Sequence, residues 1–317
     1  MSLVAPALLA GGVATAAPGS RAASAAHLPG TTCTAFPADN VWNTSVADLP
    51  VSPRSSQWVR SIGENNLHPD FGPSYGAQPV PYGIPITYVS GSHPKVKVKF
   101  QYGSESDHVG YPLGSDTKIE GGRNSGGDMH AIVIDRKTCR LYETWNTKQT
   151  SHGWTAGSGA TWSLKGNKLR PSGWTSADAA GLPILPGLLR VGEVKAGFVG
   201  HAIRFTADRT STHFIWPARH EAGDESSSTY PPMGARFRLE AGFSMSGYSK
   251  ATRVVLQAMK TYGLILADNG SSWYFQGEAS NAWPSKMISE LKTIPGSAFE
   301  AVDESSLKVS SNSARAK

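Results

Sequence analysis

The chain has 317 residues, enough for one large domain or two small ones, and its 30 Lys and Arg against 24 Asp and Glu give a formal charge of +6. The basic residues form no run, so nucleic-acid binding has little support, and after the N-terminal stretch no run of about 18 apolar residues offers a membrane span. Charged residues are only 17%, while Gly (34), Pro (21) and Trp (9) are plentiful, a composition that suits a turn-rich, mainly β protein better than a helical bundle.

In chain order, Leu3 to Val13 is apolar and is followed by Ala14-Thr15-Ala16 and Ala23-Ser24-Ala25, small-residue cleavage candidates. Residues 1–26 are therefore expected to be a secretory signal peptide, though its basic n-region is missing, so a start further upstream is expected. Residues 27–55 are expected as extended chain over the domain, and Ser56 to Asn65, with Trp58, Val59 and Ile62, as a short helix. A Gly- and Pro-rich loop precedes strands at Ile86–Val89 and Val96–Phe100; the second alternates Val96, Val98 and Phe100 with lysines. Glu105 to Gly127 reads as a polar loop, Met129 to Asn146 as a hairpin, and Ser176 caps a short helix to Ala180. Leu182 to Leu189 contains Pro183 and Pro186 and reads as a packed turn. A second hairpin spans Phe198 to Pro217, and Arg236–Leu239 reads as a strand. Lys250 to Tyr262 is the best helix, stopped by Gly263. Strands at Leu264–Ala267 and Trp273–Phe275 flank Asp268-Asn269-Gly270, a type I′ turn signal. A last helix spans Pro284–Lys292, and residues 304–317 are expected as a frayed polar tail. The pattern predicts one β-sandwich or jelly-roll-like domain over residues 27–303, with a few peripheral helices.

Cys33 and Cys139 are the only cysteines, which suits a disulfide in an oxidising compartment and no zinc signature. A bridge would close a loop of about a hundred residues, worth roughly 4–5 kcal/mol by chain entropy.

The chain repeats one phrase: His-Ala-Ile-Val-Ile-Asp at 130–135 and His-Ala-Ile-Arg-Phe-Thr at 201–206. Each opens an apolar strand with His and precedes a second apolar run with ionisable groups, so the two ribbons are expected to converge on one site. A four-residue turn in the first hairpin pairs Glu143 with Ile132, on the face of His130; a three-residue turn sends it to the opposite face. Glu143 sits in an apolar strand, where an unpaired carboxyl has a raised pKa suited to a general acid. His130 and His201 are candidate acids or bases. Arg204 interrupts an apolar strand and either faces solvent or holds a carboxylate. Arg219 and His220 end the run Trp-Pro-Ala-Arg-His at the same rim. Asp268 is a second carboxyl beside Trp273, Asp128 a third, and Asp178 a fourth with a cap-like alternative. No nucleophile-elbow serine, zincin, P-loop or dinucleotide fingerprint is present.

Together, Phe36-Pro-Ala-Asp-Asn-Val-Trp-Asn43, the first His-Ala-Ile-Val-Ile-Asp strand with Cys-Arg-Leu-Tyr-Glu143, Gly173-Trp-Thr-Ser-Ala-Asp-Ala-Ala-Gly-Leu-Pro-Ile-Leu-Pro-Gly187, His201-Ala-Ile-Arg-Phe205, Trp216-Pro-Ala-Arg-His220, Pro231-Pro-Met-Gly234 and Ala267-Asp-Asn-Gly-Ser-Ser-Trp273 resemble a family of exported bacterial proteins, common in actinobacteria, without an assigned activity. The resemblance covers roughly residues 33–303 and implies one exported domain; it implies no mechanism.

Abundant Trp and Tyr in Gly-rich loops suit stacking on sugar rings, so the leading expectation is a secreted, monomeric glycoside hydrolase acting on an extracellular glycan, without cofactor or metal. Glu143 and Asp268 would be its carboxyl pair, with His130 and His201 beside them. Asp128, Arg204, Arg219, His220, Trp145 and Trp273 would hold the substrate. A polysaccharide lyase, with Arg204 or Arg219 on a uronate, and a non-catalytic glycan- or wall-binding module are the alternatives.

Overall fold

A computed structural model describes residues 27–74 and 80–317; the expected signal peptide, residues 1–26, lies outside them. The strands are, in order, β1 (His68–Asp70), β2 (Ile86–Val89), β3 (Val98–Phe100), β4 (Ala131–Asp135), β5 (Arg140–Trp145), β6 (Lys148–Thr150), β7 (Gly153–Ala156), β8 (Ser158–Ser163), β9 (Ile203–Ala207), β10 (Arg236–Leu239), β11 (Leu264–Asn269), β12 (Tyr274–Gln276) and β13 (Phe299–Val302). Four short α-helices accompany them: α1 (Ser55–Ile62), α2 (Val191–Ala196), α3 (Lys250–Thr261) and α4 (Ser285–Leu291). The protein is mainly β, as its composition predicts. Its strands form a six-stranded sheet ordered β1-β12-β9-β11-β10-β13, a four-stranded sheet ordered β2-β4-β5-β8, and a three-stranded sheet ordered β3-β7-β6. Parallel pairs (β2 with β4, β9 with β11) run beside antiparallel ones.

The first hairpin forms with the four-residue turn. Asp135 pairs with Arg140, and Ile132 pairs with Glu143. Ile132, Ile134 and Leu141 enter one core cluster, while Ala131, Val133 and Tyr142 enter another on the opposite face. Every residue of β4 is buried, as expected of a β-branched run covered on both sides. Cys139, in the turn, is bonded to Cys33 with Cα atoms 5.5 Å apart, so the start of the described chain is stapled to the hairpin.

The second expected hairpin does not form. β9 lies between β12, antiparallel, and β11, parallel, and the run 213–220 joins neither. A parallel neighbour requires a long crossover, which here includes β10 and α3. Asp268-Asn269-Gly270 is accordingly no tight hairpin turn, because β11 and β12 sit on either side of β9 rather than beside each other. Helix α3 forms where expected: the Ser249 side chain accepts from Thr252 N, and Val255, Leu256, Ala258 and Met259 enter the core. Gly263 ends it with φ +70; a Cβ there would stand 2.3 Å from the Phe237 carbonyl oxygen.

Residues 175–191 lie between the two larger sheets and bind both. Ile184, Leu185 and Leu188 belong to the cluster of the four-stranded sheet, whereas Ala180, Leu182 and Leu189 belong to that of the six-stranded sheet. Ala180 N donates to Ala267 O at 2.9 Å and Leu189 N to Gln276 O at 3.2 Å. Gly187 admits a close approach to the six-stranded sheet: its missing Cβ would lie 2.8 Å from both Arg204 and Trp42. We call this segment the strap. The helix expected at Ser176–Ala180 is absent from it. Ser176 Oγ accepts from Asp178 N, as a cap would, but the chain turns away because Asp178 is drawn to β9.

Residues 304–317 are not a frayed tail. Leu307, Ala314 and Ala316 are buried; Val41 N donates to Ala314 O and Ala316 N to Asp39 O, each at 2.8 Å. The N-terminal segment supplies the backbone partners that a polar C-terminal sequence gives no sign of.

Candidate functional site

The strap brings one candidate carboxyl to each sheet. Glu143, on β5, is fully buried, and its two oxygens accept from Ile184 N (2.9 Å) and Leu185 N (2.8 Å). Burial pushes its pKa up to about 7 against the lowering effect of those two bonds, with Asp178 raising it further. On the other side, Asp178 receives Arg204 Nε at 2.8 Å and Nη2 at 2.6 Å, a bidentate pair closed off from water. Arg204 therefore holds a carboxylate, the second of the two roles its sequence context allows.

Asp268 lies next to this pair. β11 carries a bulge between Leu266 and Asp268, where the register against β9 shifts. The bulge leaves the Ala267 carbonyl to the strap and re-aims Asp268 at the strand end. Its carboxyl is 26% exposed and 3.6 Å from Arg204. Burial and the adjoining Asp178 carboxyl raise its pKa well above the ordinary range, against the pull of Arg204. Asp178 has both oxygens on the guanidinium, so Asp268 is the member of the couple that keeps a proton.

Asp268 opens into a pocket of about 340 Å³ at the end of the seam between the sheets. Its walls come from both: Asp128, Trp145 and Ser158 beside the four-stranded sheet, Asp268 and Asn269 from β11, and the strap residues Thr175 to Ala177 between them. Trp145 Nε1 donates to Asp128 Oδ1 at 3.1 Å, and Tyr102 faces the Trp145 ring at 6.3 Å. Glu105 accepts from Thr175 N at 3.1 Å and stands 3.7 Å from His220 Nε2, whose Nδ1 bonds Ala179 O. Three carboxyl groups, one imidazole and two aromatic rings thus share one opening, with no Lys or Arg on its walls.

Of the residues singled out in the sequence, Asp128, Trp145, His220 and Asp268 meet here; the others are placed elsewhere. His130 lies beneath the pocket, with Nδ1 2.6 Å from Glu120 Oε2 and Nε2 3.1 Å from Ala177 O. Both partners are acceptors, so both nitrogens donate and the ring is an imidazolium. Burial would lower its pKa; the field and hydrogen bond of Glu120 outweigh it and raise it to about 9. That makes His130 a fixed cation rather than a base. His201 belongs to a different cluster, with Glu193 at 3.2 Å and Ala202 O at 2.7 Å. There Arg190 and His201 overcome the effect of burial and hold Glu193 down at about 2. The two imidazoles consequently serve separate clusters, because β9 pairs in the other sheet. Glu143 shares the inner face with His130, as the hairpin register predicts, but it is enclosed under the strap and does not line the pocket. Arg219 is a structural tie: its guanidinium donates to Arg170 O, Ser311 O and Asn312 Oδ1. Trp273 is core, fully buried against Phe205, with Nε1 on Gly63 O at 2.8 Å.

Glu105, Tyr102 and Ser158 enter the site without any signal in the sequence, since they come from polar and Gly-rich stretches whose position only the fold decides. Among the described residues no group of three His, Cys, Asp or Glu side chains is arranged to hold a metal ion. Nor is any helix there long and apolar enough to cross a membrane. No family model, curated protein or solved structure matches the chain.

Proposed function

We propose that this chain is an exported carbohydrate-active hydrolase that cleaves a glycan in the seam pocket, and that the sequence resemblance to exported bacterial proteins reflects that role. The observation that carries the reading is Asp268: a carboxyl with a strongly raised pKa, a quarter exposed, opening into a cavity that holds other carboxyls and an aromatic wall. A carboxyl that keeps its proton near neutral pH is suited to protonate a leaving glycosidic oxygen. Asp128, on the other sheet's side of the pocket, acts as the base or nucleophile, and Trp145 and Tyr102 stack on the apolar face of a sugar ring. Glu105 and His220 orient the substrate hydroxyls. Asp268 takes the acid role that the sequence suggests for Glu143, whose oxygens are engaged by the strap.

Two features favour hydrolysis over the alternatives. A uronate lyase needs a free cation at the reacting sugar, yet Arg204 is held by Asp178 and Arg219 by the chain's own acceptors. A pure binding module would offer aromatics alone, whereas here the rings share their pocket with carboxyls of different environments. The disulfide fits an oxidising, extracellular location.

The test is a panel of neutral and acidic glycans incubated with the purified protein, read both as new reducing ends and as the ultraviolet absorbance of unsaturated uronides. Reducing ends are expected without that absorbance, with kcat lowered about 10²–10⁴-fold in Asp268→Asn. Release of unsaturated products, or undiminished turnover in that variant, would overturn the assignment.

A further inference from the structure

A second concavity adjoins the pocket, larger than it at about 780 Å³ and of opposite electrical character. Pairs of near neighbours in the chain straddle the boundary between the two. Trp174 lines the groove and Thr175 the pocket; Arg219 lines the groove and His220 the pocket; Asp107 lines the groove and Glu105 the pocket. The Glu105 main-chain oxygen accepts from Arg170 Nη2 at 2.7 Å, so the same residue that faces the pocket with its side chain anchors the groove with its backbone. One ridge of chain thus separates the two spaces.

The pocket walls carry Glu105 and Asp128, besides the protonated Asp268, and no Lys or Arg, whereas the groove carries Arg140, Lys168, Arg170 and Arg219 against the single carboxyl of Asp107. Arg170 is buried, bonded to Asp107 at 2.8 Å, and its guanidinium lies 5.7 Å from the Trp162 ring and 5.5 Å from the Trp174 ring. Arg140 and Lys168 are exposed, and no described carboxyl stands within ion-pair distance of either. Arg140 is braced by Thr161 Oγ1 at 2.7 Å, which holds its head at the groove wall. Asp107 balances Arg170, so the two unpaired cations and the buried Arg219 leave the groove with a net positive charge that attracts anions, and the half-buried Trp174 lines the same groove.

We propose that this groove is a binding subsite for the anionic stretch of an acidic polysaccharide whose less charged segment occupies the seam pocket. This deepens the hydrolase reading and names its substrate class: a glycan bearing carboxylate or phosphate groups some sugars away from the bond that is cut. The acidic pocket would repel those groups from the cleavage point, and the groove would draw them to one side, so the two charge patterns together set the register of the chain. Arg140 and Lys168 supply the direct contacts, while Arg219, whose internal partners are neutral acceptors, adds to the field and Arg170 stays paired with Asp107.

The experiment measures binding rather than turnover, so its outcome is separable from that of the hydrolase proposal. The full chain is titrated, with tryptophan fluorescence as readout, with alginate oligosaccharides (carboxylate), polyglycerol phosphate (phosphate) and a neutral glucan of similar length. At least one anionic polymer is expected to bind, and which one identifies the substituent. The double reversal Arg140→Glu with Lys168→Glu should weaken that binding by at least about tenfold and reduce its dependence on salt. Lys97→Glu with Lys99→Glu, exposed lysines that line neither space, makes the same change in net charge and should shift binding by less than about twofold. Circular dichroism checks that all variants fold. The subsite is refuted if neither anionic polymer binds, if the glucan binds as well as they do, or if the two double reversals act alike.

Discussion

Glu143→Gln offers the sharpest test of the strap as the joint between the sheets. Its carboxyl is fully enclosed, with an ordinary value of 4.5 that burial pushes up to about 7. A group whose pKa is raised by folding keeps in the native state a proton that the unfolded chain has already released. The unfolded state then binds fewer protons, and stability falls as pH climbs from the unfolded value through the folded one. At 1.36 kcal/mol per pH unit, the gap between 4.5 and about 7 is worth about 3 kcal/mol, present in acid and lost above neutrality. Glutamine does not titrate, so the variant carries no such slope. It has a fixed defect instead: its carbonyl can accept from one of Ile184 N and Leu185 N, and its amide nitrogen faces the other, a loss of about 1–3 kcal/mol at every pH. Urea unfolding of both proteins, disulfide intact, from about pH 4 to about pH 8 should show the wild type losing about 3 kcal/mol relative to the variant over that range. Other buried groups with raised pKa values, such as Asp70 at about 6 and His130 at about 9, slope the same way but cancel in the difference. A stability difference that does not change with pH would refute the enclosed, proton-holding carboxyl and with it the strap's grip on the four-stranded sheet.

Three further outcomes are expected. Asp178→Asn removes the negative neighbour that keeps Asp268 protonated and leaves Arg204 to act on it alone, so the alkaline limb of the pH–rate profile should move to lower pH; a limb that stays in place would dissociate Asp268 from catalysis. Cys33→Ser with Cys139→Ser frees a loop spanning 106 residues of separation and should cost about 2–5 kcal/mol, seen as a lowered thermal midpoint. Gly187→Ala places a Cβ 2.8 Å from Arg204 and Trp42 in a close-packed seam, and should destabilise by about 1–3 kcal/mol in denaturant titration, whereas the same change at Gly166, where nothing lies within 4 Å, should be nearly silent.

Where a segment's own pattern settles its structure, the sequence was sufficient. Alternation along His130–Asp135 and Arg140–Trp145, with a turn of four residues, places Glu143 and Ile132 on one face, and the register agrees residue by residue. The apolar stripe of Lys250–Thr261, with Ser249 before it and Gly263 after, marks α3 within a residue at its end. The resemblance of the 201–206 phrase to the 130–135 phrase misled, because similar strands need not have similar neighbours. β9 received β11 and β12 on its flanks, and so His201 was carried away from His130.

Trp273 and Trp145 show the same division at the level of side chains. Both are tryptophans beside a carboxyl in an aromatic, Gly-rich context, yet one is sealed against Phe205 and Phe237 and the other lines the pocket. Glu105 carried no local signal at all. Local sequence thus determined which residues alternate, turn, cap and cross-link, since those depend on dihedral preference and on the period of apolar residues over a few positions. What covers each face was decided only by tertiary structure: the strap that encloses Glu143, the guanidinium that claims Asp178, and the bulge that turns Asp268 outward. These are contacts between segments far apart in the chain, and the water they exclude is what shifts a carboxyl's proton affinity.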